Sequence, residues 1–215
     1  MLRVKSISPN SNYIGFEPNS TCTSYSQQLI KLNNFSHCII YNCALSNRVQ
    51  NLVLEKTLVD DCRASVVSSL RPDYFNEVEY VLALDYQSYF IDKNISFVKI
   101  DVEGGEYEVL VGMKSAIEKY QPVITCEVLD SHNQEVLEFT QQRATLVSEF
   151  LSSINYRIIQ LQTNNSRIVS FKQIDSINIK QWTPASYGLN DYLFYPLKSE
   201  DIILTNLNEL ILNLK

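Results

Sequence analysis

The stretch Ile95–Tyr107, with the sequence I-S-F-V-K-I-D-V-E-G-G-E-Y, constrains the fold more than any other part of the chain. Its apolar first half is typical of a buried strand, and the two glycines after the acids are typical of a turn that opens a helix. In open α/β sheets, ligands bind beyond the carboxyl ends of the strands. Asp101, Glu103 and Gly104 therefore lie where we expect a functional site.

Predicted strands and helices alternate on both sides of this stretch, because short apolar, β-branched runs are followed by runs with apolar residues at helical spacing. The remaining predicted strands are Tyr13–Glu17, His37–Cys43, Glu77–Leu84, Val123–Val128, Tyr156–Leu161 and Asp191–Tyr195, the last two separated by a polar loop. The predicted helices are Ser20–Leu32, Leu110–Tyr120, Gln134–Ser153 and a tail helix over Ser199–Leu214.

The composition is that of one ordinary globular unit, so we expect a single domain over residues 1–215. The 24 acidic and 18 basic residues give a net charge of −6 without a run of lysines or arginines, which argues against a nucleic-acid partner. Five cysteines without a C-x-x-C pair indicate neither a disulfide framework nor a metal site. With no apolar run long enough for a transmembrane segment, we expect a cytoplasmic protein.

Two candidate positions follow the first two strands. Glu17, at the end of the first, could accept hydrogen bonds from both hydroxyls of a ribose, or it could simply cap the next helix. Asn42, Ala44 and Leu45, after the second, could border an adenine ring, or they could form an ordinary junction between a strand and a loop. On the residues alone, both interpretations stay open.

Three carboxylates occur within six positions around the end of the acidic strand, at Asp101, Glu103 and Glu106. Their mutual repulsion and the apolar surroundings of Asp101 could raise a pKa enough for general-base catalysis. The alternative is that they only cap the following helix. Lys99 lies inside the same apolar strand and needs a carboxylate partner or a route to solvent.

Several segments, in their order along the chain, resemble the FkbM family of methyltransferases. The segments are Y-I-G-F-E-P-N, N-C-A-L-S-N, V-L-A-L-D, I-S-F-V-K-I-D-V-E-G-G-E-Y-E-V-L-V-G-M, Q-P-V-I-T-C-E-V and N-D-Y-L-F-Y-P. Most of them are weak signals alone. K-I-D-V-E-G-G-E followed by a helix that contains G-M is fairly specific, and the resemblance covers nearly the whole chain.

The resemblance implies a class I methyltransferase, which is a Rossmann-like, three-layer α/β sandwich with a mostly parallel sheet and an antiparallel final strand. It implies S-adenosylmethionine as cofactor, and as acceptor a hydroxyl of a sugar, glycan, lipid or secondary metabolite. By position, Glu17 would hold the ribose hydroxyls and Asn42, Ala44 and Leu45 would border the adenine. Asp101 would face the methyl group and act as general base, and Glu103 is a weaker catalytic candidate.

The chain departs from the family at its beginning, because no segment of the kind D-x-G-x-N-x-G precedes Tyr13–Glu17. By resemblance, this missing first strand would be central in the sheet, between the strands of Tyr13–Glu17 and Ile95–Val102. We therefore expect a chain truncated at the amino terminus that binds S-adenosylmethionine weakly. Adding roughly 25–30 upstream residues, about one strand and most of a helix, should restore binding.

Two other functions remain open on the sequence. A non-catalytic Rossmann-like module could act as the partner subunit of a complete transferase, as a homodimer or as a complementing fragment. An NAD-dependent oxidoreductase is a weaker alternative, since it would need the same missing glycine turn and gains nothing from K-I-D-V-E-G-G-E.

Overall fold

The computed structural model describes residues 1–58, 63–89, 94–165 and 167–213, so Leu214 of the predicted tail helix lies outside the described residues. The helices are α1 (Leu2–Ile7), α2 (Ser20–Leu32), α3 (Tyr86–Tyr89), α4 (Glu106–Gly112), α5 (Lys114–Tyr120), α6 (Leu137–Ser153) and α7 (Glu200–Leu212). The strands are β1 (Tyr13–Phe16), β2 (Cys38–Tyr41), β3 (Ala44–Leu45), β4 (Gln50–Lys56), β5 (Glu77–Leu84), β6 (Phe97–Ile100), β7 (Val123–Glu127), β8 (Tyr156–Asn164), β9 (Arg167–Ile174) and β10 (Asp191–Pro196).

The described strands form three sheets, which confirms the α/β class. The largest has the order β6-β7-β10-β8-β9, and the smaller ones are β1-β2 and β3-β5-β4. β6 and β7 are parallel and connected through α4 and α5, whereas β10, the last strand, is inserted antiparallel between β7 and β8. The antiparallel final strand was predicted.

The sheet is divided at the position predicted for the missing strand. In the described ranges, β1 pairs with β2 and β6 pairs with β7, and no ladder joins β1 to β6. The two sheets nevertheless share one core, because Phe16 and Tyr41 pack against the hydrophobic cluster that contains Ile100.

A buried lysine fastens α1 beside this division. Lys5 is only 2% exposed, and its side-chain ammonium group donates hydrogen bonds to the carbonyl oxygens of Pro9, Ser11 and Ser36. Three acceptors compensate for the loss of hydration that burial of an ammonium group entails. Lys5 thereby ties α1 to the segments that precede β1 and β2.

The predicted helix that contains Leu110, Met113 and Ile117 is in fact two helices. All three side chains are buried, as their spacing predicted, but α4 ends at Gly112 and α5 begins at Lys114. The backbone of Gly112 lies directly against the carbonyl group of Ser46, a residue distant in sequence. This contact is not visible in a local pattern of apolar residues.

The polar loop predicted between the last two strands of the sheet contains a further strand, β9. It pairs antiparallel with β8 as the outer strand of the five-stranded sheet. Its sequence, R-I-V-S-F-K-Q-I, directs Ile168 and Phe171 toward a small core that also contains Leu161 and Leu207. Charged residues such as Lys172 are typical of edge strands, because they discourage pairing with other chains.

Within the described part of the chain, no helix is both long and apolar enough to span a membrane.

We expect Gly112→Ala to lower the free energy of unfolding by about 1–3 kcal/mol, because an added Cβ would lie 2.0 Å from the Ser46 carbonyl oxygen. The loss should occur although alanine has the higher helix propensity. Urea denaturation measures it. The matched control is Gly105→Ala, where the nearest atom to an added Cβ is 3.6 Å away, and a change under about 1 kcal/mol is expected. Equal losses in the two variants would contradict this account of the packing.

Candidate active site

The acidic turn, residues 101–105, connects β6 to α4 in an unusual backbone conformation. Glu103 and Gly104 follow each other with φ values of +54° and +114°. A Cβ on Gly104 would lie 2.1 Å from the Leu70 Cδ1 atom, and the φ value itself disfavours any side chain there. The first glycine of the E-G-G-E motif is therefore explained by the shape of the turn.

Polar contacts from distant segments hold this turn in place. The Glu103 carboxylate forms an ion pair with Arg71, and its carbonyl oxygen accepts a hydrogen bond from the Ser65 hydroxyl at 2.7 Å. Arg143 on α6 donates from Nε to the Gly104 carbonyl oxygen at 3.0 Å. The ion-paired side chains of Arg71 and Glu103 are only 14% and 12% exposed, so the pair is largely shielded from water.

Glu106 supports the turn through its carboxylate. It is buried, and its carboxyl oxygen accepts a hydrogen bond from the Gly104 amide at 2.7 Å. Burial raises the pKa of Glu106 to about 7, and the hydrogen bond from Gly104 opposes the rise. Its contacts are those of a structural group.

The central feature of the site is a pair of carboxyl groups at the ends of adjacent strands, Asp101 and Glu127. In the parallel register Lys99 pairs with Thr125 and Ile100 with Cys126, so Asp101 and Glu127 are the next neighbours on the same face of the sheet. The two side chains are hydrogen-bonded to each other. A hydrogen bond between two carboxyl groups requires that one of them carries a proton.

The surroundings decide which member of the pair holds the proton. Partial burial opposes ionisation of Asp101, but the hydrogen bond and the positive charge of Lys99 outweigh it and lower the pKa of Asp101. Burial, followed by the contact with Asp101, raises the pKa of Glu127 to about 8. At neutral pH the pair therefore contains an Asp101 carboxylate and a protonated Glu127. Lys99 forms an ion pair with Asp101, which is a carboxylate partner of the kind expected from the sequence.

A cavity of about 550 Å³ opens beside Glu127, within the size range of small-molecule sites. Tyr74 forms part of its wall, and Arg71 lies over the Tyr74 ring at 5.6 Å while His132 packs edge-on against it at 6.1 Å. Trp182 also lines the cavity and is half exposed. The cavity thus combines aromatic faces with carboxylates and guanidinium groups.

Of the predicted cofactor residues, Glu17 and Asn42 lie together at the ends of β1 and β2. The Glu17 carboxylate accepts a hydrogen bond from the Asn19 amide at 2.8 Å, and the Asn42 side-chain amide donates to the Glu17 carbonyl oxygen at 3.0 Å. Burial raises the pKa of Glu17, and the negative charge of Asp101 adds to the rise. Glu17 and Asp101 therefore lie near enough to interact electrostatically.

Ala44 and Leu45 occupy a different environment. They form β3, which pairs in parallel with β5. Ala44 is buried, and Leu45 packs against the main hydrophobic cluster. The structure thus brings Glu17, Asn42 and Asp101 toward one junction and places Ala44 and Leu45 in the packing beneath it.

Asp101, Glu103 and Glu127 also present carboxylate oxygens within 4.8 Å of one another, a spacing at which oxygen ligands can share a divalent cation. Lys99 and Arg71, however, already neutralise Asp101 and Glu103. We assign no metal to this cluster.

Glu127 is the site residue that sequence reasoning missed. It ends the strand V-I-T-C-E, which was predicted only as a buried strand. The usable signal was the rule already applied to Asp101, because acids that end two neighbouring parallel strands meet at one edge of a sheet. Applying it to Glu127 required knowing that β6 and β7 are adjacent.

A family model described as the methyltransferase FkbM domain matches residues 5–158. The chain is also similar to the crystal structure of methyltransferase FkbM from Methylobacillus flagellatus KT, with a TM-score of 0.51 and 14% sequence identity. The similarity covers 89% of this chain but 39% of that protein, and at this identity it supports the fold alone. No curated protein matches the chain.

We expect Arg71→Met to destabilise the protein by about 2–3 kcal/mol, somewhat less than the loss for a fully buried pair, because Glu103 would keep its charge without a partner. Chemical denaturation with urea gives the change. The double variant Arg71→Met/Glu103→Gln should recover part of the loss, since it removes the unpaired charge. A double variant whose stability equals the sum of the two single losses would show that the two side chains do not act as a pair.

Proposed function

Because the chain belongs to the FkbM methyltransferase family, we propose that it transfers a methyl group from S-adenosylmethionine to a hydroxyl of a sugar, glycan, lipid or secondary metabolite. The observation that carries the proposal is a hydrogen-bonded carboxyl pair at the ends of β6 and β7, beside a cavity large enough for an acceptor. Methyl transfer to a hydroxyl needs mainly correct positioning and a group that accepts the hydroxyl proton.

The residues at the junction of β1, β2 and β6 fit the adenosine and sulfonium parts of the cofactor. A half-buried carboxylate such as Glu17 can accept hydrogen bonds from both ribose hydroxyls, and Asn42 lies beside it. Asp101, kept ionised by Lys99, provides a negative charge near the same junction. When bound, S-adenosylmethionine supplies a methyl group carried on a positively charged sulfur atom.

The cavity fits an acceptor that carries several hydroxyl groups. Trp182, which is half exposed, offers a ring face on which an apolar face of a sugar ring can pack. Asp130, His132 and Glu103 add hydrogen-bonding groups along the same wall. This mixture favours a glycan or another polyhydroxylated molecule over a purely apolar acceptor.

Two further features belong to the proposal. The main hydrophobic cluster contains residues from β6, β7, β8 and β10, and Phe16 of β1 packs against it, which fits a single domain. The described cysteines Cys22, Cys38, Cys43 and Cys126 are free thiols, which fits the reducing environment of the cytoplasm.

We expect this chain to bind S-adenosylmethionine measurably but weakly, and Glu17→Gln to weaken binding by about 10-fold to 100-fold, because a charged acceptor of two hydrogen bonds is lost. Isothermal titration calorimetry at high protein concentration measures the affinity. The matched control is Glu118→Gln on α5, whose side chain is 48% exposed and paired with Lys114, and it should leave the affinity unchanged. If heat of binding is absent both in this chain and in the version with the added upstream residues, the methyltransferase is rejected and a non-catalytic partner subunit is favoured.

A further inference from the structure

The two members of the carboxyl pair face different sides of the site. Glu127 lines the cavity that fits the acceptor. Asp101 lies on the other side of the pair, where it forms an ion pair with Lys99 and where its charge reaches Glu17. The pair therefore spans the distance between the proposed cofactor junction and the proposed acceptor cavity.

We propose that Glu127, and not Asp101, is the catalytic residue that takes the proton from the acceptor hydroxyl, an inference that rests on the methyl transfer proposed above. Asp101 is then a positioning residue, which orients Glu127 through their shared hydrogen bond and tunes its basicity. This assignment replaces the sequence-based choice of Asp101 as general base.

The proposed step balances in atoms and charge. The O–H bond of the acceptor breaks, its proton moves to the Glu127 carboxylate, and the oxygen electron pair forms the new O–CH₃ bond. The sulfur–methyl bond breaks at the same time, and its electron pair remains on sulfur, which becomes a neutral thioether. No oxidant, reductant or metal is required.

Location supports Glu127 over Asp101. A general base must reach the proton that it removes, and Glu127 borders the cavity directly. The Asp101 carboxylate is occupied by Lys99 on one side and by Glu127 on the other. Of the two carboxyl groups, Glu127 is therefore the one that an acceptor hydroxyl in the cavity can contact.

Basicity supports the same assignment. A carboxylate with a lowered pKa, such as Asp101, is a weak base, whereas a group whose pKa lies near the working pH is both basic and sufficiently deprotonated. The pKa of Glu127, about 8, meets that condition. Because the deprotonated form of Glu127 is the active form, the rate should rise as the pH increases through this pKa.

The groups around Glu127 come from several elements. Burial raises the pKa of Glu127 first, and the negative charges of Asp101 and Glu103 in the acidic turn and of Asp191 on β10 raise it further. Asp191 lies directly opposite Glu127 in the antiparallel register. The other charged or titratable groups that line the same cavity are Arg63, Arg71, Glu106, Tyr107, Asp130, His132 and Arg143, and Lys99 approaches from beyond Asp101.

Nuclear magnetic resonance of the ¹³C-labelled side-chain carboxyl groups tests the charge arrangement without an acceptor. We expect the Glu127 carboxyl in the unmodified chain to titrate near pH 8. In Asp101→Asn the midpoint should fall by about one pH unit or more, because the negative neighbour is gone. Glu118→Gln should leave the midpoint unchanged. A Glu127 midpoint in the ordinary range of a glutamate, or one that Asp101→Asn does not move, would overturn the proposal.

Activity separates the two roles. Formation of S-adenosylhomocysteine is followed with S-adenosylmethionine and a panel of methyl glycosides as acceptors. Glu127→Gln should lower kcat by about 10²-fold to 10⁴-fold. Asp101→Asn also removes a charge near the cofactor junction, so it is assayed at saturating S-adenosylmethionine, where it should keep kcat within about 10-fold and shift the pH profile to lower pH. Glu127→Asp should restore part of the activity. If Asp101→Asn loses as much activity as Glu127→Gln, the general base is Asp101 and the proposal fails.

The outcomes also distinguish this inference from the function on which it rests. Calorimetry on the chain with both carboxyl groups of the pair intact reports cofactor binding separately from proton transfer. Cofactor binding together with an ordinary Glu127 midpoint rejects the role of Glu127 and leaves the methyltransferase intact. A raised Glu127 midpoint without cofactor binding rejects the methyltransferase, and with it the catalytic role.

Discussion

The site depends on how the acidic turn after β6 is held. The turn has two successive residues with positive φ, a conformation that costs free energy unless surrounding contacts enforce it. Those contacts come from two separate segments, the connection between β4 and β5 with Ser65 and Arg71 and helix α6 with Arg143, and each satisfies a polar group of the turn. Because the turn is fixed by both segments, the carboxyl groups at the ends of β6 and β7 meet in one arrangement. The cavity that Glu127 lines is bounded by the same arginines.

The elements that local sequence predicts well are those with a strong pattern and clear ends. Residues 20–32 and 77–84 match α2 and β5 as predicted, since each has an uninterrupted pattern. The break at Met113 and the strand β9 were missed because they depend on distant contacts, namely Gly112 against Ser46 and β9 against β8. A division between β1 and β6 was expected only through the family resemblance and not from any local pattern.

The candidate site was predictable in part for the same reason. Asp101, Glu103 and Glu17 follow strands, so the rule for open sheets identified them as candidates. The contacts of these residues could not be predicted from the local sequence, because the ion pair of Glu103 with Arg71, for example, joins residues that are 32 positions apart. Ala44 and Leu45 also follow a strand, but they continue into β3, where they pair with β5 and pack against neighbouring residues. A position directly after a strand makes a residue a candidate for the site, but its contacts depend on which strands lie next to it.

Lys99 shows how an interaction of small energetic value can determine chemistry. The Lys99 and Asp101 side chains are 63% and 40% exposed, so solvent screens their ion pair and its contribution to folding stability is modest. The same pair nevertheless decides which of two hydrogen-bonded carboxyl groups is ionised. Against the effect of burial, the positive charge of Lys99 lowers the pKa of Asp101, while burial raises the pKa of Glu127. The pKa values therefore separate, and separated pKa values in adjacent carboxyl groups are what allow one to carry charge and the other to exchange a proton.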